Sequence, residues 1–374
     1  MCGGRHGASS VRQPRRGSAG MIGVFGGGPV YVPVEGRQLA EHELAAHHWV
    51  VARLACHLVR DGTYVVPSDT LSVEQAYALG IHWVDQFFGG IVPFPFVGTK
   101  LVTHPLVAMH ASAPEGWRHQ HPHRLSGVVV PGWGAFSVTD LHEAAGRLLG
   151  EGAVRLKLAE GRGGGQQWVV PDLASLKRLL EGEAALAAGI EAGVVVERDL
   201  RRPVTLSVGH VVLPTLSLSY LGYQREARDR HGASRYGGSR LCCIRGSLSM
   251  LLETLGEPRE RLAVEQASAY HEAMFEAFPE LVVSRANYDV IQGFDARGNW
   301  HSGVLEQSWR IGGASPAEIV AAEALSNGKR QRVEATYVEC YEADAVAPEG
   351  AEVVYRATSG DGDAPTLTYV KVEA

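Results

Sequence analysis

The chain has 374 residues, room for two or three domains at the usual domain size. Its 45% hydrophobic and 20% charged content is that of a globular enzyme, and no apolar run approaches the roughly 18 residues of a membrane helix. A formal charge of −6 removes the overall basic footprint that would make nucleic acid the default partner.

Residues 1–20, MCGGRHGASSVRQPRRGSAG, carry Arg5, Arg12, Arg15 and Arg16 and no acid. They read as a disordered tail, or as translation ahead of a start at Met21. No secretory h-region follows, because MIGVFGGGPV is broken by glycine and proline. The run FGGG at 25–28 lacks the helix that a dinucleotide-binding turn would open. From Gln38 to Arg60 an apolar stripe through Leu39, Leu44, Trp49, Val50, Leu54 and Leu58 predicts a helix. TYVVPSD predicts a strand, and SVEQAYALGI a helix with Ser72 as N-cap. Strand and helix alternating at this length suggest a small α/β domain over 21–98, closed by the Gly- and Pro-rich FGGIVPFPFVGTK.

Near Lys100 a second α/β unit begins. LSGVVVPGW predicts a buried strand with a turn. VTDLHEAAGRLLGEG predicts a helix with Thr139 or Asp140 near its start and Gly150 near its stop, and DLASLKRLLEGEAAL a further helix. WRHQHPHRL offers His119, His121 and His123 at alternate positions, but Pro122 would break a strand, and solvated loop histidines are the better reading. In VRLKLAEGRGGGQQWVV, Val154, Leu156 and Leu158 share one strand face and Arg155 and Lys157 the other. Gly161, Gly163, Gly164 and Gly165 would let backbone N–H groups approach an anion. No GK[ST] follows, so this is not a Walker A loop.

The third unit opens with the apolar strand GVVVERDL and two more strand runs in TLSVGHVVLPTLSLSYLGYQ. A loop is expected from Gln224 to Arg245, carrying Arg225, Arg228, Arg230, Arg235, Arg240 and Arg245. Glu226 and Asp229 offset part of that charge and favour a local anion site over a nucleic-acid patch. RERLAVEQASAYHEAMFEAF and PAEIVAAEAL predict helices, and the C-terminal remainder strands around a polar turn at SGDGDAP. Cys2, Cys56, Cys242, Cys243 and Cys340 form no CxxC pair, which suits a reduced, cytoplasmic protein without structural zinc.

Between them lies SRANYDVIQGFDARGNWHSGVLEQSWRIGGAS. Asp295–Gly298 suits a type I turn. A four-residue loop there would set Phe294 opposite Asn299, Asp289 opposite Val304, Asn287 opposite Glu306 and Arg285 opposite Ser308. One face then gathers Tyr288, Val290 and Phe294 with Leu305, Trp309 and Ile311. The other gathers Arg285, Asn287, Asp289, Glu306, Ser308 and Arg310. Hard oxygen donors on one face suit Mg²⁺, and arginines suit phosphate or carboxylate.

This order of parts resembles the ATP-grasp superfamily, and SRANYDV, GVLEQSWRIGGAS and RYGGSRL resemble an uncharacterised bacterial family assigned to it. The resemblance implies an α/β (α+β) fold: a tail at 1–20, an N-terminal α/β domain at 21–98, a small subdomain with a glycine-rich flap at 99–192, and a large subdomain with a Mg²⁺-binding hairpin at 193–374. It implies that Lys100 and Lys157 hold ATP phosphates, with Gly161, Gly163, Gly164 and Gly165 as the flap. Glu197 and Leu200 would lie at the adenine hinge. Glu306 with Asn287 or Asp289, and Ser308, would hold Mg²⁺, while Arg310, Arg285 or Arg245 would steady an acyl phosphate. Asn287 and Ser308 stand where the superfamily has Asp and Asn. The implied reaction joins a small-molecule carboxylate to an amine or thiol, without nucleic acid or membrane; a homodimer stays open. A nucleotide-binding protein that has lost chemistry and a small-molecule kinase are the alternatives.

Overall fold

The computed structural model describes residues 27–36, 38–57, 62–161, 165–326, 328–357 and 364–373. The chain opens with β1 (Gly28–Val32), α1 (Glu41–Leu54), β2 (Thr63–Pro67), β3 (Leu71–Ser72), α2 (Val73–Ala78) and β4 (Gly90–Val92). β1 and β2 pair in parallel. Ser72 caps α2: its Oγ accepts from Gln75 N at 3.2 Å, and Gln75 Oε1 accepts from Ser72 N at 2.9 Å.

Next come α3 (His121–Arg124), β5 (Gly132–Ala135), α4 (Val138–Leu149), β6 (Val154–Leu158), β7 (Gln167–Val170), α5 (Leu173–Gly182), α6 (Ala184–Gly189) and β8 (Val194–Arg198). Their strands form an antiparallel sheet in the order β5-β8-β6-β7. Val154, Leu156, Leu158, Val194 and Val196 bury one face against α4, α5 and α6. The opposite face carries Arg155, Lys157 and Glu197. Three expectations need correction. The strand expected in LSGVVVPGW is a single bridge, Val129 to Val304, because Pro131 has no N–H to extend a ladder, and pairing resumes only at β5. The helix expected over 172–186 breaks at Glu183, which is extended after Gly182. The HPHR segment is one short helical turn rather than a loop, and His121, expected to be solvated, is buried in it.

The chain continues with β9 (Arg201–Leu213), β10 (Leu216–Arg228), β11 (Ser234–Arg245), α7 (Leu248–Thr254), α8 (Pro258–Ala277), β12 (Val282–Val283), β13 (Arg285–Phe294) and β14 (Trp300–Ser308). It ends with α9 (Ser315–Ser326), β15 (Arg332–Cys340), β16 (Glu352–Arg356) and β17 (Leu367–Val372). Among the described residues all of these strands except β12, which pairs with β4, build an eight-stranded sheet ordered β14-β13-β9-β10-β11-β15-β17-β16. α8 packs on one face through Tyr270 and Met274 against Leu206, Val208, Tyr288 and Val290. α9 packs on the other through Ala317, Ile319 and Ala321 against Val211, Leu218, Tyr220 and Ala335. The arginine-rich segment expected as a loop is mostly the β10–β11 hairpin. Arg240 and Arg245 stand beside buried residues of β11, Arg225 and Arg228 lie on the uncovered end of β10, and Asp229 Oδ1 closes the turn by accepting from His231 N and Ala233 N, both at 2.9 Å. The turn at SGDGDAP lies largely outside the described residues.

The β13–β14 register differs from the expected one by two residues at its functional end. The loop closes one residue later, at Phe294 opposite Trp300, because Asp295 Oδ1 accepts from Asn299 N at 2.8 Å and Arg297 N at 2.9 Å. A bulge at Leu305 adds the second residue, so Asp289 faces Glu306 and Asn287 faces Ser308. Two shifts restore the parity, and the polar face survives intact. Leu305 itself is only half-buried, while Val304 and Gln307 take the buried positions.

Gly209 faces Tyr220 across the ladder, where an added Cβ would run into the phenol ring. Gly209→Ala is expected to cost about 1–3 kcal/mol by overpacking, read as a lower denaturation midpoint with an unchanged slope; an unchanged midpoint would contradict this packing.

Candidate functional site

Between the polar face of the small sheet and the β13–β14 hairpin, four charged side chains interlock. Lys100, in a short 3₁₀ turn at 100–103, is buried. Its Nζ lies 2.9 Å from Glu306 Oε2 and donates to the carbonyl oxygens of Leu158 and Gly161 at the start of the glycine-rich loop. Lys157 Nζ pairs with Glu197 Oε1. The strand geometry explains the second pair: Lys157 faces Val195 and Arg155 faces Glu197, so Lys157 and Glu197 are diagonal neighbours on one face. Lys100 thus touches both the loop after β6 and the hairpin, and Lys157 bears on Glu306 as well.

Burial and neighbouring charges push the three carboxyls in different directions. Burial pushes Glu197 up, but Lys157 and then His104 outweigh it and hold the carboxyl at about 2. His104 Nε2 stands 3.5 Å from Glu197 Oε2, too far and too poorly aimed for a hydrogen bond, so that buried oxygen and both His104 ring nitrogens lack hydrogen-bond partners. Burial also pushes Glu306 up, and Lys100 followed by Lys157 brings it below its usual range. Asp289, opposite Glu306, goes the other way: burial raises it and the Glu306 charge adds to the rise.

Asp289 Oδ1 accepts from Asn287 Nδ2 at 2.8 Å, Gln224 Nε2 at 2.9 Å and Ser207 Oγ at 3.3 Å. Asn287 Oδ1 accepts from Tyr220 OH at 2.9 Å. Two facing carboxylates and an amide oxygen form a hard-oxygen donor set, and a divalent cation would offset both the burial that raises Asp289 and the smaller repulsion from Glu306. The residues therefore fit Mg²⁺.

Other expected site residues are placed differently. Arg285 does not face the seam. It is fully buried, donates to both Glu318 oxygens, with Nη2 to Oε1 at 2.6 Å, and ties down Ser308 O and Arg310 O. Ser308 Oγ is held by Arg285 Nη1 at 3.4 Å. Arg245 ends β11 exposed, three strands from Arg285 in the same cross-strand row, roughly 14 Å by strand spacing. Arg310 is partly exposed, with Nε 3.6 Å from Asp69 Oδ1. Leu200 is buried beside Gly293. Gly161 and Gly165 flank the loop, whereas Gly163 and Gly164 lie outside the described residues. Sequence reasoning missed His104, Tyr220, Gln224 and Glu318. Only Glu318 carried a signal, as an acid inside the apolar helix PAEIVAAEAL.

The chain belongs to the family described as "Protein of unknown function (DUF3182)", whose model matches residues 36–368. No curated protein matches the chain. Among solved structures it is similar to biotin carboxylase from Campylobacter jejuni, in a complex with β-γ-ATP, at 13% identity and a TM-score of 0.40, covering 68% of this chain and 61% of that one. It is also similar to D-alanyl-alanine synthetase A from Vibrio cholerae, at 12% identity and a TM-score of 0.48, covering 82% and 96%. A third is the biotin carboxylase domain dimer of the Hydrogenobacter thermophilus 2-oxoglutarate carboxylase with MgADP, at 13% and 0.46, covering 91% and 85%. The chain spans less than two thirds of the Campylobacter enzyme. Among the described residues no helix is long and apolar enough to cross a membrane.

Two outcomes follow from the buried charges. Glu318→Ala leaves the Arg285 cation buried and unpaired, and is expected to lower stability by about 3–5 kcal/mol in chemical denaturation; a loss under 1 kcal/mol would show that the pair does not anchor the hairpin. Glu197 has a folded value of about 2 against 4.5 for the free group, so it stabilises the fold above pH 4.5 and that contribution fades as pH falls towards 2. Glu197→Gln should therefore be less stable than the parent at pH 7, by roughly 1–3 kcal/mol, with the gap shrinking on acidification. A gap that widens at low pH would reverse the sign and the assignment.

Proposed function

We propose that this chain is an ATP-grasp ligase that uses ATP and Mg²⁺ to activate a small-molecule carboxylate for attack by an amine or thiol. The observation that carries the reading is the convergence of Lys100, Lys157, Glu197 and Glu306 at one seam between the small sheet and the hairpin. Two lysines near the glycine-rich loop supply the cations that triphosphate requires, and their present carboxylate partners are the groups a nucleotide and a metal would displace or recruit. Glu197 and Leu200 would border the base, and Glu306, Asp289 and the Asn287 amide oxygen would hold Mg²⁺. When bound, that ion supplies positive charge against the phosphate oxygens.

The protein's share of the chemistry is positioning and charge neutralisation. A substrate carboxylate oxygen attacks the γ-phosphorus and ADP leaves. The amine nitrogen or thiol sulfur then attacks the acyl carbon, and phosphate leaves with the C–O electron pair. Arg310, whose Nε lies 3.6 Å from Asp69 Oδ1, would steady the acyl phosphate. Arg285 instead fixes the hairpin from behind.

A second reading is a nucleotide-binding protein without turnover. It is favoured by the hydrogen bonds that already occupy Asn287 and Asp289.

Thermal shift with a non-hydrolysable ATP analogue and Mg²⁺ tests binding. Lys157→Ala and Glu306→Ala should each weaken affinity about tenfold or more, as loss of a charged hydrogen-bonding group does. ADP release requiring both an acid and an amine or thiol supports the ligase. Saturable binding with no ADP under any pairing supports the second reading, and binding indifferent to both substitutions overturns the site.

A further inference from the structure

The α8 side of the large sheet is only partly covered. α8 packs on β9, β13 and β14, and α7 packs on β10. Farther out, Tyr223, Arg240 and Lys371 fall in one cross-strand row through Thr336. Arg225 and Tyr369 join them around a cavity of about 540 Å³. That volume lies in the range of small-molecule clefts. Arg240 and Lys371 sit two strands apart, roughly 10 Å at the backbone, so their long side chains can converge on one anionic group.

We propose that this cavity binds a phosphate-bearing aromatic ligand, with Arg225, Arg240 and Lys371 on the anion and Tyr223 and Tyr369 against the ring. Among the described residues Arg225 pairs with no carboxylate and lines the cavity together with Tyr369. Arg240 pairs with Glu334 and Lys371 with Glu373, the latter at 3.3 Å. Arg240–Glu334 is bidentate but lies at the surface, and Lys371–Glu373 is a single partly exposed contact, so solvent screens both where a dianion would compete for the cations. Tyrosine presents a flat apolar body with a polar tip, and an arginine beside it adds a stacking surface.

The cavity is separate from the lysine seam, although a single strand serves both. Gln224, between Tyr223 and Arg225, points to the opposite face and donates to Asp289. The proposal does not rest on the ligase reading.

Isothermal titration of the full chain with phenyl phosphate and with inorganic phosphate tests it. Phenyl phosphate should bind the parent more tightly than phosphate does. Arg225→Ala and Lys371→Ala should each weaken it about tenfold, while Lys157→Ala should leave it unchanged. Arg225 is exposed and Lys371 partly so, and two separate variants guard against misfolding of either. Absence of binding at millimolar probe, or unchanged affinity in both cavity variants, overturns the site. Loss of binding in Lys157→Ala overturns it too, by placing the probe at the seam. Equal affinity for the two probes removes the aromatic half of the proposal.

Discussion

Two lysines balanced against two carboxylates across a seam are the constraint around which this molecule is arranged. A buried ionisable group needs an opposite charge, and here buried Lys100 meets the partly exposed Glu306 while Lys157 meets buried Glu197. The small sheet contributes Lys157 and Glu197, the hairpin contributes Glu306, and Lys100 arrives from the 100–103 turn that precedes both in the chain. The seam exists only if both sheets are held in their present relation. Under the proposed reading, a polyphosphate with a divalent cation would bring its own matched charges, an anion for the two lysines and a cation for Glu306.

Behind the seam a second buried network fixes the hairpin. Arg285 reaches Glu318 of α9 and the carbonyls of Ser308 and Arg310, and the single Tyr220 hydroxyl proton is shared between Glu318 Oε1 at 2.6 Å and Asn287 Oδ1 at 2.9 Å. Tyr220 can reach both because Gly209 leaves room for its ring. The guanidinium thus works as a strut, and the donor face of β13 and β14 inherits its rigidity from α9.

What the sequence made legible was whatever depends on local alternation. The small sheet's division into Val154, Leu156 and Leu158 against Arg155 and Lys157 is visible in five residues and reappears in the fold. The polar face of the hairpin was equally visible, but its register was not, because a loop one residue longer and a bulge at Leu305 leave the side-chain parity unchanged. Arginine density disguised β10 and β11 as a loop, since one face of those strands is bare and carries charge where a covered strand would carry apolar residues. Partnerships made by tertiary contact left no local trace. His104 near Glu197 spans 93 positions of sequence, and Arg285 with Glu318 spans 33.

The most direct measurement is a crystal structure with a non-hydrolysable ATP analogue and Mn²⁺ in place of Mg²⁺, read by the anomalous signal of the metal. The account predicts a metal peak between Glu306 and Asp289, phosphates on Lys100 and Lys157, and the two present ion pairs opened. Nucleotide bound elsewhere, with both pairs intact and no metal beside Glu306, would contradict it.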